Sequence, residues 1–281
     1  MKDWLASVVL LLLLAGCATP AAPVVPEPTP LPTMAAPQTL RVVHSESLEP
    51  VMVTLASAYQ RQAPAAQVIL VERADTLALQ ALLSGDVDLA VLSWLPPEAL
   101  PSKAWRAVFA LDGLAVIVNP QNGVPGLTLE QLRQLFQGQR DDWASWEGMP
   151  GMPQIISRED ASGDYAFFQR RVMGDNRVTL TALLAPSTQA VLNVVAEDPL
   201  AVGYVSSARV DGHVRILAIE GVPPAPEAIA TGIYPLSREL HLVSLEEPQG
   251  AIRSFAQWML DSQGQDIVQR QGFLPVEPTT E

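Results

Sequence analysis

The sequence contains very little cysteine and histidine. Cys17 is the only cysteine among 281 residues, so no disulfide can form within the chain. The three histidines, His44, His213 and His241, are scattered along the sequence, and no Gly-x-Ser-x-Gly elbow accompanies them. A nucleophile with a paired base, or a metal site with regular ligand spacing, requires such groups close together. We therefore expect neither enzymatic activity nor a cofactor or metal.

Charged residues are also few, at 17% of the chain, and the 30 acidic residues outnumber the 17 basic ones to give a net charge of -13. This balance argues against a nucleic-acid partner or an anionic membrane surface. It says little about a small anion, because charges more than about 10 Å away are largely screened at 0.1 M salt. Local donors at a pocket matter more for such a ligand.

The apolar run at the start of the chain, residues 5–15, is shorter than the roughly 20 residues that a membrane span requires. It follows Lys2 and has the length of a signal-peptide core. Residues 14–17 read Leu-Ala-Gly-Cys, which resembles the lipobox of bacterial lipoproteins. We expect a signal peptide over residues 1–17 and acylation of Cys17, for example by palmitate, as an anchor on the extracytoplasmic face of the cell membrane. A lone buried thiol is the alternative interpretation.

Residues 18–38 contain seven prolines and no aromatic residue. Proline locks φ and removes amide donors, so this segment is predicted to be a stiff, extended linker rather than a packed element. It would hold the folded part of the protein away from the bilayer.

From residue 39 onward, short strand-like runs alternate with amphipathic helical segments. Runs at 39–43, 67–71 and 87–92 predict strands, and residues 76–85 between them predict a helix. Ser47 is a candidate N-cap for a helix that begins near Leu48. Alternating strands and helices predict an α/β fold with mixed, mostly parallel sheets.

Further along the chain, two strands are predicted at 105–110 and 114–120, and a helix opens at Thr128 because Gln131 completes a capping box. The C-terminal part predicts a strand and two helices that are interrupted near Ser262.

Five segments resemble, in order and spacing, the substrate-binding lipoproteins of phosphate-type ABC transporters. The likeness extends over roughly residues 39–275. The segments are LAVIVNPQNGVPGLTLEQLRQLFQGQRDDWASW, SREDASGDYAFF, VAEDPLAVGYVS, GIYPLSRELHLV and FAQWMLDSQGQDIVQRQGFLP.

The resemblance implies a two-lobed periplasmic-binding-protein fold of type II, in which two hinge crossings join the lobes and the lobes close on a ligand. The implied boundaries are 39–116 plus 233–276 for lobe I, 117–232 for lobe II and 277–281 for a tail. The crossings would lie in LAVIVNP and GIYPLSRELHLV. We expect a monomer.

Candidate ligand-binding residues follow the strand that ends at Arg158. Ser162 and the amides of Gly163 and Asp164 lie at a predicted helix start, where an oxyanion finds unsatisfied donors, and Arg158 can add a guanidinium fork. The resemblance adds a second set from the other lobe, namely Ser45, Glu46, Ser47 and Ser93. A helix cap at Ser47 and a surface ion pair at Arg158 are the alternative interpretation.

Several positions depart from the family pattern. A threonine of the family is replaced by Glu46 in the first loop and by Asp164 after Ser162-Gly163. Trp94 follows Ser93 where the family commonly has arginine or aspartate, and residues 73–76, Arg-Ala-Asp-Thr, replace a Ser-Gly pair.

Acids that point at a dianion would weaken its binding. Either they face away, or Arg73 and Arg158 neutralise them, or the ligand is not inorganic phosphate. An acid could also accept the proton of a monohydrogen species and thereby distinguish phosphate from sulfate.

The predicted function is that of an extracytoplasmic solute-binding lipoprotein, which captures a small oxyanion, above all phosphate, for an ABC permease. The alternative is a lipoprotein whose binding fold has drifted to act as a sensor, or to bind an organic or cationic ligand. The acids at positions 46 and 164 are the reason for keeping this alternative.

Overall fold

The computed structural model describes residues 38–96, 98–140 and 142–277. The predicted signal peptide, Cys17 and nearly all of the proline-rich linker therefore lie outside the described residues, as do residues 278–281 of the predicted tail. Across the described ranges, none of the helices combines the length and the apolarity that crossing a bilayer would demand.

Strands and helices alternate through most of the described chain, as the sequence predicts. The strands are β1 (Gln38–Ser45), β2 (Ala66–Arg73), β3 (Leu89–Leu92), β4 (Trp105–Val118), β5 (Gly126–Leu127), β6 (Gln154–Arg158), β7 (Leu183–Ala185), β8 (Ala201–Ser206), β9 (Arg215–Ile216), β10 (Ala218–Ile219), β11 (Ser237–Ser244) and β12 (Leu274–Pro275). The helices are α1 (Glu49–Gln62), α2 (Asp75–Leu83), α3 (Leu129–Phe136), α4 (Gly163–Phe168), α5 (Thr188–Glu197), α6 (Pro226–Ala230), α7 (Gly250–Leu260) and α8 (Ser262–Arg270).

The main sheet has the strand order β2-β1-β3-β11-β4-β8-β6-β7. The three strands at one end, β2, β1 and β3, pair in parallel, and so do the three at the other end, β8, β6 and β7. Between them, β11 and β4 run antiparallel to their neighbours. We call the part with β1, β2 and β3 the first half and the part with β6, β7 and β8 the second half.

Two strands, β4 and β11, connect the halves. The sequence predicts separate strands at 105–110 and 114–120, but the structure has one continuous strand, β4, over Trp105–Val118. Its first part pairs with β11 and β12, and its last part, from Leu114, pairs with β8 and β9. The two predicted strands merge because β11 offers ladder partners as far as Gly113, which keeps the backbone extended where the sequence suggests a turn.

Each half has its own apolar interior. The larger cluster in the first half packs α1, α7 and α8 against β1, β3 and the start of β4, and a smaller one lies under α2. In the second half, one cluster joins α3 and α4 to the end of β4, and another lies under α5. Two cores joined by two crossing strands form a two-lobed α/β fold with mixed sheets.

Helix starts show which local signals decide the structure. Thr128 and Gln131 form the predicted capping box at α3, with both reciprocal hydrogen bonds present. The predicted N-cap at Ser47 is wrong: Ser47 lies inside a short 3-10 turn, and Leu48 precedes α1 without a side-chain cap. The extra turn leaves Ser47 buried at the junction of the two halves.

Candidate functional site

The candidate site lies where loops from both halves meet. From the first half come Ser45 at the end of β1, Asp75 at the start of α2 and Ser93 just after β3. Parallel strands bring their carboxyl ends to one edge of a sheet, which is where α/β proteins place ligands. Gly163, at the start of α4, approaches from the second half. All four residues are buried.

The Asp75 carboxylate is at the centre of this site and accepts hydrogen bonds from five groups. Within the first half, Ser45 Oγ donates at 2.7 Å, Ser93 N at 2.8 Å, Ser93 Oγ at 3.0 Å and Trp94 N at 3.0 Å. From the second half, Gly163 N donates at 2.9 Å. Hydroxyls and amides that converge on two oxygens form an oxyanion site, and Asp75 supplies the oxyanion.

Gly163 is required for this close approach. A Cβ at position 163 would collide with Ser93 Oγ and with the carboxyl group of Asp75. Glycine therefore allows the backbone of α4 to reach the carboxylate directly. The amide of Thr76 makes a second connection between the halves, to the carbonyl of Ala161 at 3.2 Å.

Arg158 is turned inward, with a side chain only 2% exposed. Its Nη1 lies 3.0 Å from Glu46 Oε2 and 3.9 Å from Asp164 Oδ2, and its Nη2 lies 3.5 Å from Glu159 Oε1. Burial disfavours its charged form, but the charges of Asp164 and Glu46 outweigh burial and raise the Arg158 pKa. The surface ion pair considered from sequence is therefore wrong for this side chain.

Glu46 joins the halves through the start of α5. Its carboxylate accepts hydrogen bonds from Thr188 N at 3.1 Å and from Thr188 Oγ1 at 2.9 Å, and it pairs with Arg158. A carboxylate near a helix N-terminus satisfies free amides and interacts favourably with the helix dipole. The replacement of a family threonine by Glu46 thus provides a contact across the cleft.

Asp164 is neutralised by a second arginine that the sequence analysis did not identify. Arg238 Nη1 lies 2.7 Å from Asp164 Oδ1, and Arg238 Nη2 lies 2.8 Å from Asp112 Oδ2. Burial disfavours the Arg238 cation, but the charges of Asp164 and Asp112 outweigh burial and raise its pKa. Arg238 and Asp112 lie on the crossing strands β11 and β4, so this network connects the hinge to α4.

The remaining space at the site is small. A cavity of about 10 Å³ is lined by Glu46, Ser47, Ala74, Asp75, Arg158, Ser162 and Asp164. This is about the minimum volume that one water molecule needs. Arg158 Nε and Asp164 Oδ2 are buried beside it without a hydrogen-bond partner among the described residues. Both atoms are thus available to a polar guest.

The structure brings together all eight predicted ligand-binding residues, although with different roles. Ser45, Ser93 and the amide of Gly163 hold Asp75, whereas Ser47 and Ser162 line the small cavity. The three charged residues pair with one another or with Arg238. These are Glu46, Arg158 and Asp164.

Sequence reasoning missed Asp75 as an interacting residue. In the sequence, residues 73–76 stand out only as a departure from the Ser-Gly pair of the family, because an aspartate at a helix start is an ordinary feature of any helix. Burial raises the Asp75 pKa, while the hydrogen bonds from Ser45, Trp94 and Ser93 act in the opposite direction. The available signal was the position of Asp75 immediately after β2, at the edge where the donor loops gather.

A larger cavity of about 680 Å³ lies on the other side of Trp94 and Arg238. Trp94 packs edge-on against Phe167, with ring centroids 5.5 Å apart, and Arg106 and His241 also line the cavity. Its volume is in the range of small-molecule sites. Trp94 lines this cavity, and its backbone amide donates to Asp75.

Comparison with known proteins extends the sequence resemblance. The model of the PBP superfamily domain matches residues 31–263. The phosphate-binding protein PstS of Bacillus subtilis is 26% identical over 242 residues, which cover 84% of this chain and 80% of that protein. PstS of Pseudomonas aeruginosa is 25% identical over 276 residues, with coverage of 84% and 83%.

Solved structures give the same result. A putative phosphate ABC transporter substrate-binding protein from Clostridium perfringens, with bound phosphate, has a TM-score of 0.80 and 26% identity over 85% of this chain and 100% of its own. An ABC-type phosphate transport receptor from Vibrio cholerae has a TM-score of 0.75 and 26% identity, with coverage of 84% and 100%. The chain therefore belongs to the PBP superfamily and has its two-lobed type II fold.

Proposed function

We propose that this protein is an extracytoplasmic solute-binding lipoprotein that captures phosphate and delivers it to an ABC permease. The observation that carries the proposal is the set of five donor groups, from both halves of the molecule, that converge on one carboxylate. A carboxylate and a phosphate present similar pairs of negatively charged oxygens, and the same donors suit both. The phosphate-binding relatives support phosphate as the ligand.

The remaining parts of the proposal rest on the sequence. Acylation of Cys17 and the linker over residues 18–38 would tether the protein to the membrane, where a permease could receive the ligand. Lobe I would take residues 39–116 plus 233–276 and lobe II residues 117–232, so that β4 and β11 form the hinge. Closure would bring Arg158 and Gly163 of one lobe against Ser45 and Ser93 of the other.

Calorimetric titration of the full chain in detergent with phosphate, sulfate, molybdate and tungstate tests this function. We expect heat with phosphate that saturates at one ligand per chain. Arg158→Gln should abolish that heat, because the guanidinium is the only full positive charge that lines the small cavity within the described residues. Absence of heat with all four oxyanions would exclude the transport function, and unchanged affinity of the variant would exclude Arg158 as a ligand.

A second candidate function is favoured by the charge of the site. Four carboxylates, those of Glu46, Asp112, Glu159 and Asp164, lie against two guanidinium groups, and the donor set already has an anion in Asp75. A receptor with such a centre could serve as a sensor or accept an organic or cationic ligand, for which the cavity beside Trp94 offers room. Saturable binding of an organic ligand together with no response to phosphate would favour this candidate.

A further inference from the structure

We propose that Asp75 is an internal occupant of the oxyanion site and that phosphate binds by displacing the Asp75 carboxylate. This inference rests on the proposed function, since it concerns the same site and the same ligand. Asp75 then sets the affinity for phosphate, and no comparison with a relative assigns it that role.

The hydrogen-bond geometry is the first support. All five donor groups lie 2.7 to 3.0 Å from an oxygen of Asp75. Distances of this length are those of well-formed hydrogen bonds to a charged acceptor. A phosphate oxygen at the same place would require the same hydroxyls and amides, so the two anions compete for one set of donors.

The lack of space is the second support. The remaining cavity measures about 10 Å³, whereas phosphate has five non-hydrogen atoms. The cavity holds at most about one water molecule. Asp75 and phosphate therefore cannot occupy the site together while the halves are closed.

The origin of the donors determines how the exchange must proceed. Four of the five donor groups belong to the first half, the same half as Asp75, and only Gly163 N comes from the second. Opening of the cleft alone would release Gly163 and leave the carboxylate in place. Phosphate must therefore also turn the Asp75 side chain away from Ser45 and Ser93.

Closure in the absence of ligand follows from the same arrangement. In a closure driven by ligand, a bound anion supplies the negative charge between the lobes. Here the carboxylates of Glu46 and Asp75 supply that charge instead. Glu46 contacts Thr188 and Arg158 of the second half, and Asp75 contacts Gly163. The ligand consequently gains less from closing the lobes, and its affinity is lower than the donor set alone would give.

The test is a titration of phosphate into full-length wild type, Asp75→Ser and Asp75→Asn. Serine removes the carboxylate and leaves space, while asparagine keeps the shape and removes the charge. We expect Asp75→Ser to bind phosphate about tenfold or more tightly than wild type, since a single charge-assisted hydrogen bond returned to the ligand accounts for roughly that factor. Asp75→Asn should show a smaller gain, because its side chain keeps the shape and its amide oxygen still accepts from Ser45 and Ser93, while only the hydrogen bond from Gly163 is lost.

Asp86→Ser is the matched control. It removes the same charge from the same half, at an exposed position where the carboxylate accepts a hydrogen bond from Ser84 Oγ. Its phosphate affinity should equal that of wild type. A gain in this control as large as that in Asp75→Ser would assign the effect to net charge and overturn the proposal.

The possible results separate this inference from the proposed function. If wild type binds phosphate and the two Asp75 variants bind it more weakly or equally, Asp75 assists the ligand or ignores it, and the inference fails while the function stands. If only the variants bind, the inference holds and wild type is not a phosphate receptor. If no chain binds phosphate, both fail. If Asp75→Ser does not fold, the direction of the change in Asp75→Asn decides in the same way.

Discussion

Replacement of Arg238 by methionine tests whether the hinge network stabilises the closed fold. Among the residues that the structure describes, Arg238 is the only cation paired with Asp112, and it also pairs with Asp164; all three side chains are 1% exposed. Methionine fills a similar volume without a charge. Asp112 would then be left ionised and buried, with only Ser206 and Ser207 as donors to it in the described part of the chain.

The expected loss is large. Removal of one partner of a buried ion pair costs about 3 to 5 kcal/mol, because the other charge remains desolvated and uncompensated. For a domain of this size each kcal/mol corresponds to about 2 to 4 °C in Tm. We therefore expect Arg238→Met to lower Tm by roughly 6 to 20 °C at pH 7.

The direction in which the stability of Arg238→Met changes with pH is an independent test. In the variant, Asp112 is buried without a cation, which raises its folded-state pKa further above that of an unfolded aspartate, about 3.9. The folded state then binds more protons than the unfolded state between those values, so stability increases as the pH falls through that window. The difference from wild type should thus be smaller at pH 5 than at pH 7.

Urea unfolding at both pH values, followed by tryptophan fluorescence, measures the free energy of unfolding. Arg41→Met is the control, because the Arg41–Asp88 pair is exposed, at 47% and 30%, and such pairs contribute at most about 1 kcal/mol. A loss below about 1 kcal/mol in Arg238→Met, or a loss that grows as the pH falls, would refute the reasoning.

Three further substitutions test the contacts between halves and one local signal. Gly163→Ala places a Cβ against Ser93 and should hold the two halves apart. Small-angle scattering should therefore report a larger radius of gyration than for wild type, and an equal radius would contradict the close approach of Gly163 to Asp75. Glu46→Ala removes the acceptor for Thr188 and the partner of the buried Arg158 guanidinium. We expect the free energy of unfolding to fall by about 1 to 3 kcal/mol in chemical unfolding. No loss would mean that the contact is absent in solution. Thr128→Ala removes the capping box of α3 and should lower stability by about 1 kcal/mol, which a change within error in the same assay would disprove.

Much of the fold could be predicted from local patterns. The capping box at Thr128, the interruption of the C-terminal helices near Ser262 and the alternation of strands and helices depend on neighbours a few residues apart. The structure has α7 ending at Leu260 and α8 beginning at Ser262. The continuous strand β4 could not be predicted in this way, because its extended backbone at Gly113 is imposed by pairing with β11.

The residues predicted for the site lie together in the structure, but the way their charged groups pair was not predicted. Arg158, Ser162 and Gly163 were singled out because they follow a strand and open a helix, and they do lie at the cleft. The carboxylate that accepts from the Gly163 amide comes from residue 75, which is 88 positions earlier in the sequence. No periodicity or motif connects positions so far apart.

The sequence by itself determined the alternation of strands and helices and the helix start after Arg158, since periodicity and strand ends are local properties, and its resemblance to phosphate-type substrate-binding lipoproteins implied the two lobes. Only the tertiary structure decided which groups pair: Asp75 with the donors, Glu46 with Arg158, and Arg238 with Asp112 and Asp164. The physical reason is that the cost of a buried charge depends on what surrounds it in three dimensions. An acidic residue that is an ordinary helix start in the sequence becomes, once folded, the anion of the site.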